Sequence, residues 1–131
     1  MKNEPIKQFP PHLRVIDDIS PEESLTIFKK KSLWEILVPC NWNNGTEIHI
    51  NHHQEWDKKV RQISGGLTIH QVTKGQWINP KDNSIFEEPM IPVRILCTRN
   101  QILEILEITI NHYKQKEVLA YEISNNYILY T

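Results

Sequence analysis

The chain has 131 residues, the size of one ordinary domain, and it is long enough to bury a core without metal or disulfide crosslinks. Its 15 lysines and arginines nearly balance its 16 aspartates and glutamates, so the net charge of -1 gives no broad positive field for nucleic acid or an anionic membrane. Hydrophobic residues make up 39% of the sequence, which excludes a disordered composition.

The first part of the chain is predicted to be an arm followed by a short helix. Residues 1 to about 19 contain several prolines and no clear period, which is typical of an extended segment. Ser20 and Pro21 then form a helix start, because serine caps free amide groups and proline suits the first helical turn. We therefore assign residues 1–32 to this arm and helix and residues 33–131 to the main domain.

Alternating apolar residues predict strands in the main domain, and apolar residues at helical spacing predict two helices. In chain order the predicted elements are strand Leu33–Val38, helix His53–Ile63, strand Leu67–Val72, strand Val93–Cys97, helix Ile102–Tyr113 and strand Val118–Ile123. This order predicts an α+β fold, a ferredoxin-like split αβ sandwich (βαββαβ) with an antiparallel four-stranded sheet and two helices on one face.

Three further segments have less regular patterns. The interval Thr73–Ser84 is predicted to be a loop or hairpin connection, and Tyr127–Tyr130 a last short strand. Pro89 and Pro92 interrupt a β-like run before Val93, and proline cannot donate a ladder hydrogen bond. The first half of that run is therefore expected to be an edge or a bulge. A capping box at Thr98 to Gln101 is predicted to begin the second helix.

The cysteines and the start of the chain indicate a cellular compartment. Cys40 and Cys97 are far apart, and the first residues carry charge with no apolar run behind them, unlike a secretory signal. No segment approaches a membrane-spanning length. We expect reduced, buried thiols and a cytoplasmic protein.

A sheet with two helices on one side leaves its other side open, and alternation predicts which residues point there. Glu35, Thr68, His70 and Arg94 are expected to share this open face. Arg94 would then bind an anionic ligand while His70 exchanges a proton near neutral pH. The alternative is a polar dimer interface or a face covered by residues 1–32, since paired charges on sheets are common and catalysis on them is not.

A second candidate site follows from Gly75-Gln76-Trp77. Trp77 would offer an aromatic platform to a ligand, and Gln76 would bind the polar edge of that ligand. The interpretation that the sequence favours is a Trp77 that plugs the core beneath the long loop. Glu88 is a candidate general base if it is buried.

The densest histidine cluster is Glu47, His49, His52 and His53, residue types that can hold zinc. The adjacent pair His52 and His53 must point in different directions, and no motif with metal-ligand spacing accompanies them. We predict a surface loop running into a helix and no metal site, although the sequence leaves metal binding by His49, His52 and His53 open. No phosphate-binding or catalytic motif is present, so no cofactor is predicted.

The motif residues resemble those of an uncharacterised family of small bacterial proteins, a domain of unknown function. Its pattern is matched by Gly66-Leu67-Thr68, Gly75-Gln76-Trp77, Glu88, Tyr113 and, with shifted spacing, Gln115 to Val118. The resemblance runs from Trp34 to about Ile123. It implies a ferredoxin-like fold and no known activity.

Two classes of function follow. The first is a non-enzymatic module that binds a small ligand or a protein and acts as a homodimer, because an exposed sheet face is usually covered. The second is a small cofactor-free enzyme of the dimeric αβ-barrel type, acting on a small organic molecule, anionic or neutral, through His70, Arg94 and Glu88. Nucleic acid and membrane partners are not expected.

Overall fold

The structure, a computed structural model, describes residues 30–131. The arm and short helix predicted within residues 1–32 fall almost entirely outside this range. The described elements are β1 (Lys31–Pro39), α1 (Ile50–Ser64), β2 (Thr68–Ile69), β3 (Thr73–Ile78), β4 (Ile85–Thr98), α2 (Arg99–Tyr113) and β5 (Ala120–Ser124). No helix within residues 30–131 is long and apolar enough to cross a membrane.

The strands form one antiparallel sheet in the order β2-β4-β1-β5, with β3 also paired to β4. Both β2 and β3 lie along the same side of β4 and together occupy one strand position. The arrangement is a ferredoxin-like split αβ sandwich, which confirms the predicted fold class.

The second strand position is divided at a proline of β4. His70 donates its backbone N–H to the carbonyl of Pro92 at 2.9 Å, but Pro92 has no N–H to return. Strand pairing with β4 therefore stops after β2 and begins again at Thr73, the first residue of β3. The predicted strand Leu67–Val72 is shorter in the structure, and the interval predicted as a connection contains β3.

Both helices begin and end at capping residues. Thr98 and Gln101 form the predicted capping box of α2, each side chain bonding the backbone of the other. The α1 helix begins before the predicted His53, because the Nδ1 of His49 accepts the Asn51 N–H at 3.1 Å and acts as its cap. It ends at Gly65, whose φ of 91° is left-handed.

The hydrophobic core lies between the helices and one face of the sheet. It is centred on Ile36 and Val38 of β1, Val93 and Ile95 of β4, and residues of both helices. Cys97 is a buried free thiol, and burial raises its pKa to about 11, whereas Cys40 is a half-buried free thiol. The prediction of buried thiols is confirmed for Cys97.

A β-hairpin projects beyond the sheet. The β1 strand pairs with β4 only from Met90 onward, so β3 is the ladder partner of Ile85–Pro89 within the described chain. The Pro89 carbonyl also accepts the Cys40 N–H at 3.4 Å. We call β3 and Ile85–Pro89 the projecting hairpin. Trp77, Ile78, Ile85 and Phe86 lie towards its tip with 42–69% of their surface exposed.

The last predicted strand, Tyr127–Tyr130, has no ladder partner within the described chain. The predicted turn before it is present, because the Ser124 hydroxyl donates to the Asn126 carbonyl at 3.0 Å and accepts the Asn126 N–H at 3.0 Å. The segment itself has no regular secondary structure, and the expectation of a last short strand is wrong for the described chain.

Candidate functional site

Four side chains form a polar row across the open face of the sheet. The register places Glu35 opposite Arg94 on one side and Tyr121 on the other, and Thr68 opposite Arg94. The structure therefore brings together Glu35, Thr68 and Arg94 as the alternation predicts. Tyr121 was not predicted, because its contact with Glu35 depends on the register between β1 and β5.

Glu35 is the centre of this row and is only 8% exposed. Its carboxylate accepts hydrogen bonds from the Tyr121 hydroxyl and from the Arg94 Nε, the latter at 3.0 Å. The bond from Tyr121, with the bond and charge of Arg94, lowers the pKa of Glu35, and the same bond raises the pKa of Tyr121. Glu35 is thus held as a carboxylate with both oxygens engaged, which suits an anchoring role better than proton exchange.

His70 follows β2 and lies beside the polar row. Its Nε2 is buried, and no donor or acceptor reaches that atom from residues 30–131. The side chain of Arg94 is 44% exposed, so its guanidinium remains open to solvent. Arg94 and His70 thus lie on the same face, as predicted for the anion site. Glu88 lies six residues before Arg94 on β4, about 20 Å away at the rise of a strand, so the structure does not bring Glu88 together with them.

A cleft of about 1020 Å³ lies between the projecting hairpin and the loop that joins α2 to β5. We call it the hairpin cleft. The residues that line it are Leu37, Pro39, Asn43, Trp77, Phe86, Glu88, Met90, Gln115, Lys116, Glu117, Val118 and Leu119. Most of this lining is apolar, and its charges lie on Glu88, Lys116 and Glu117.

Trp77 is positioned on the hairpin wall of this cleft. A Cβ at Gly75 would come within 3.3 Å of the Trp77 ring, so the glycine leaves the space that the indole needs. The indole Nε1–H donates to Glu88 Oε1 at 3.1 Å, and Phe86 is the cross-strand neighbour of Trp77. Trp77 therefore lines a cleft and does not plug the core, so the favoured core interpretation is wrong. Ligand binding on its ring stays a prediction.

Gln76 is separated from Trp77 by the pleat of β3. Neighbouring residues of a strand point to opposite faces, and the Gln76 amide donates to Glu87 outside the cleft. Gln76 and Trp77 therefore do not face the same ligand site within one chain, contrary to the prediction.

Side-chain amide hydrogen bonds hold the opposite wall of the cleft, the loop after α2, against the loop after β1. Gln115 donates from its Nε2 to Asn43 Oδ1 at 3.2 Å, and Asn43 Nδ2 donates to the Lys114 carbonyl at 3.2 Å. Sequence reasoning did not place Asn43, Phe86 or Gln115 in a site. The signal available for Gln115 was its place in the family pattern, whereas Asn43 and Phe86 carry no local motif.

The histidine cluster is divided by the fold. His49 caps α1 and Glu47 is exposed, whereas His52 meets His112 of α2 and His53 Nδ1 lies 2.7 Å from the Tyr113 hydroxyl. His52 and His112 donate their Nε2–H groups to each other's backbone carbonyls, both at 2.7 Å. This reciprocal contact joins the two helices.

Glu55, His52 and His112 each place one possible ligand atom within 4.8 Å of the other two. The two imidazole rings are stacked, with centroids 3.8 Å apart and planes 21° from parallel. A metal ion lies in the plane of each imidazole that binds it, about 2.0–2.1 Å from the nitrogen for zinc. One ion cannot satisfy that condition for two stacked rings, so this arrangement suits a helix–helix contact.

The stacked pair is expected to make stability depend on pH. Burial lowers the pKa of His112 below its usual 6.5. As the pH falls, His112 is therefore protonated in the unfolded chain before it is protonated in the folded protein. The free energy of unfolding should be highest above pH 6.5 and should decrease as the pH falls below that value. In His112→Gln the free energy of unfolding should depend less on pH, as measured by urea unfolding between pH 5 and 8.

Glu104→Gln, a substitution on the exposed face of α2, is the control and should keep the pH dependence of the unchanged protein. The same pH dependence in His112→Gln would contradict a role for His112.

Comparison with known proteins gives likeness of fold. No protein-family model and no curated protein matches the sequence. Among solved structures, a phage SAM lyase in complex with S-methyl-5'-thioadenosine superposes with a TM-score of 0.56 at 11% identity, over 74% of this chain and 83% of that chain.

Two CutA1 proteins, the first described as a divalent cation tolerance protein, are similar to the same extent. CutA1 from Thermus thermophilus gives a TM-score of 0.52 at 11% identity, over 71% of this chain and 84% of that chain. CutA1 from the psychrotrophic bacterium Shewanella sp. SIB1 gives 0.54 at 14% identity, over 76% and 86%. At such low identity the likeness extends to the fold alone.

Proposed function

We propose that the protein is a small non-enzymatic binding module and that the hairpin cleft is its ligand site. One observation carries this proposal: residues from three of the five parts of the pattern that this sequence resembles line the cleft. Trp77 comes from Gly75-Gln76-Trp77, Glu88 from the entry to β4, and Gln115 and Val118 from the end of α2 and its loop. Their common location supports a shared role in binding, because Trp77, Glu88 and Gln115 are not part of the hydrophobic core.

The lining favours a planar ligand with a hydrogen-bond donor on its edge. Trp77 and Phe86 offer aromatic faces for stacking, and Leu37 and Leu119 add apolar surface. The carboxylate of Glu88 accepts the Trp77 N–H at one oxygen and retains acceptor capacity for a ligand amine or amide. The volume of about 1020 Å³ is at the upper end of the range for small-molecule pockets.

A nucleoside is the ligand class that combines these properties. Its base is planar, its exocyclic amine is a donor, and its remaining surface includes apolar groups. The phage SAM lyase was solved with S-methyl-5'-thioadenosine, and that molecule has an adenine ring and a thioether methyl. This nucleoside is therefore the first probe for the cleft.

Isothermal titration of S-methyl-5'-thioadenosine and adenosine into the protein tests the proposal. We expect saturable binding that weakens about tenfold or more in Glu88→Gln, because the negative charge is lost and an amide NH2 replaces one of the two acceptor oxygens. Glu104→Gln makes the same chemical change on the exposed face of α2, away from the cleft, and should bind like the unchanged protein. Absence of binding for both nucleosides, or equal binding in the two variants, would refute the proposal.

The alternative of a cofactor-free enzyme is tested with the same samples. Conversion of either nucleoside during the titration, followed by chromatography, would favour it and would be lost in His70→Ala if the predicted residues act. The homodimer and the cytoplasmic location stay predictions from the sequence.

A further inference from the structure

We propose that the segment Tyr127–Tyr130 of one copy adds as a strand to the outer edge of β3 in a second copy, so that copies join head to tail. This inference goes beyond the ligand site and does not depend on it. It rests on two features of the chain. Tyr127–Tyr130 is an exposed segment that is paired with no strand, and the outer edge of β3 has no neighbouring strand among residues 30–131.

The donor is the segment after β5. Tyr127, Ile128, Leu129 and Tyr130 combine aromatic and aliphatic residues in a pattern that fits a pleated strand. Their exposed fractions are 43%, 89%, 77% and 93%. Four successive apolar residues this exposed, with no ladder partner among residues 30–131, indicate a surface that is covered in an assembly.

The acceptor is the edge of β3 that faces away from β4. Asn79 donates its N–H to the Ser84 carbonyl at 2.9 Å, which fixes the phase of this ladder. Since backbone groups alternate in direction along a strand, Lys74, Gln76 and Ile78 point theirs outward. Within the described chain this edge has no second neighbour, no proline and one charged residue, Lys74. Such an edge is open to strand addition.

The two features cannot meet within one chain. The sheet order puts β5 at one edge and β3 at the other, with β1 and β4 between them. Three strand spacings, about 14 Å, therefore separate the edges. A sheet with four strand positions is also too narrow to close into a barrel around its side chains. Among the described strands no edge is within reach of this segment, so we assign its partner edge to a second copy.

Joining unlike edges has a consequence for symmetry. The contact uses different surfaces on the two copies, so it is heterologous and generates a closed ring or an open chain of copies. The smallest closed ring is a two-fold dimer in which each copy places its segment on the other's β3 edge. The proposal therefore predicts an assembly in which each copy both donates a segment and accepts one.

The test uses two variants with one defect each. Ile128→Asp with Leu129→Asp disables the donor at exposed positions, and Lys74→Pro with Ile78→Pro removes two outward N–H groups from the acceptor edge while sparing those that face β4. Light scattering after size exclusion should give the unchanged protein a mass well above 15.5 kDa and each variant the 15.5 kDa of one chain. Mixing the two variants should give a 1:1 complex of twice that mass, since one intact interface remains.

Two matched controls should assemble like the unchanged protein. Lys74→Ala keeps the backbone donor, and Leu103→Asp places a charge at another exposed apolar residue, on α2. Circular dichroism checks that every variant is folded, and the donor variant decides the outcome if the proline variant is not. A monomeric unchanged protein, a donor variant of unchanged mass, or folded variants that fail to combine would overturn the proposal.

Discussion

Replacing Trp77 by alanine is expected to weaken binding of S-methyl-5'-thioadenosine by about 5- to 150-fold. Stacking of a base on an aromatic side chain contributes about 1–3 kcal/mol, and 1.4 kcal/mol is a tenfold change in affinity. Trp77 also donates to Glu88 at 3.1 Å, so its loss leaves the carboxylate less firmly placed. Titration calorimetry of the variant against the unchanged protein gives the ratio directly.

The control for Trp77 separates stacking from general loss of apolar surface. Trp77→Phe keeps an aromatic face and should retain most of the affinity, whereas it cannot donate to Glu88. Leu103→Ala removes exposed apolar surface on α2 and should leave affinity unchanged. Because Trp77 is 42% exposed, its removal should alter the melting temperature little. Unchanged affinity in Trp77→Ala would place the ligand elsewhere.

Replacing Trp56 by alanine is expected to lower the free energy of unfolding by about 3–5 kcal/mol, the range for a buried aromatic residue. Trp56 is 1% exposed, and it lies in the core where α1 faces α2. Its Nε1–H donates to Thr109 Oγ1 at 2.9 Å, so alanine removes a hydrogen bond between the helices as well as filled volume. Equilibrium unfolding in urea, monitored by circular dichroism, measures the loss.

Two further substitutions divide this effect into packing and hydrogen bonding. Thr109→Val has nearly the same shape and removes the hydroxyl, which accepts from Trp56 and donates to the Ile105 carbonyl at 2.6 Å. The buried Trp56 N–H is then unsatisfied, which should cost about 1–3 kcal/mol. Leu103→Ala on the exposed side of the same helix should change stability by less than about 0.5 kcal/mol. A loss in Trp56→Ala no larger than that of Leu103→Ala would mean that the helices do not pack as described.

Alternation along strands predicted part of the candidate surface well. Glu35, Thr68 and Arg94 share one face because a strand has a period of two, which depends only on the local backbone. Tyr121 completes the row and was missed, since its neighbour on β1 is set by the register of two strands distant in sequence. The hairpin cleft was missed for a similar reason, because its walls come from β3, β4 and the loop after α2.

Local patterns were enough to predict both helices, the four main strands and many residues that face the core, because caps, proline positions and apolar periods act over a few neighbouring residues. Three features required the folded chain: β3 continues the second strand position, Trp77 and Gln115 line the same cleft, and Tyr127–Tyr130 has no ladder partner among the described residues. These features depend on which strands become neighbours and on how far β4 runs past β1. Such distances are fixed by packing of the whole sheet, and no local pattern encodes them.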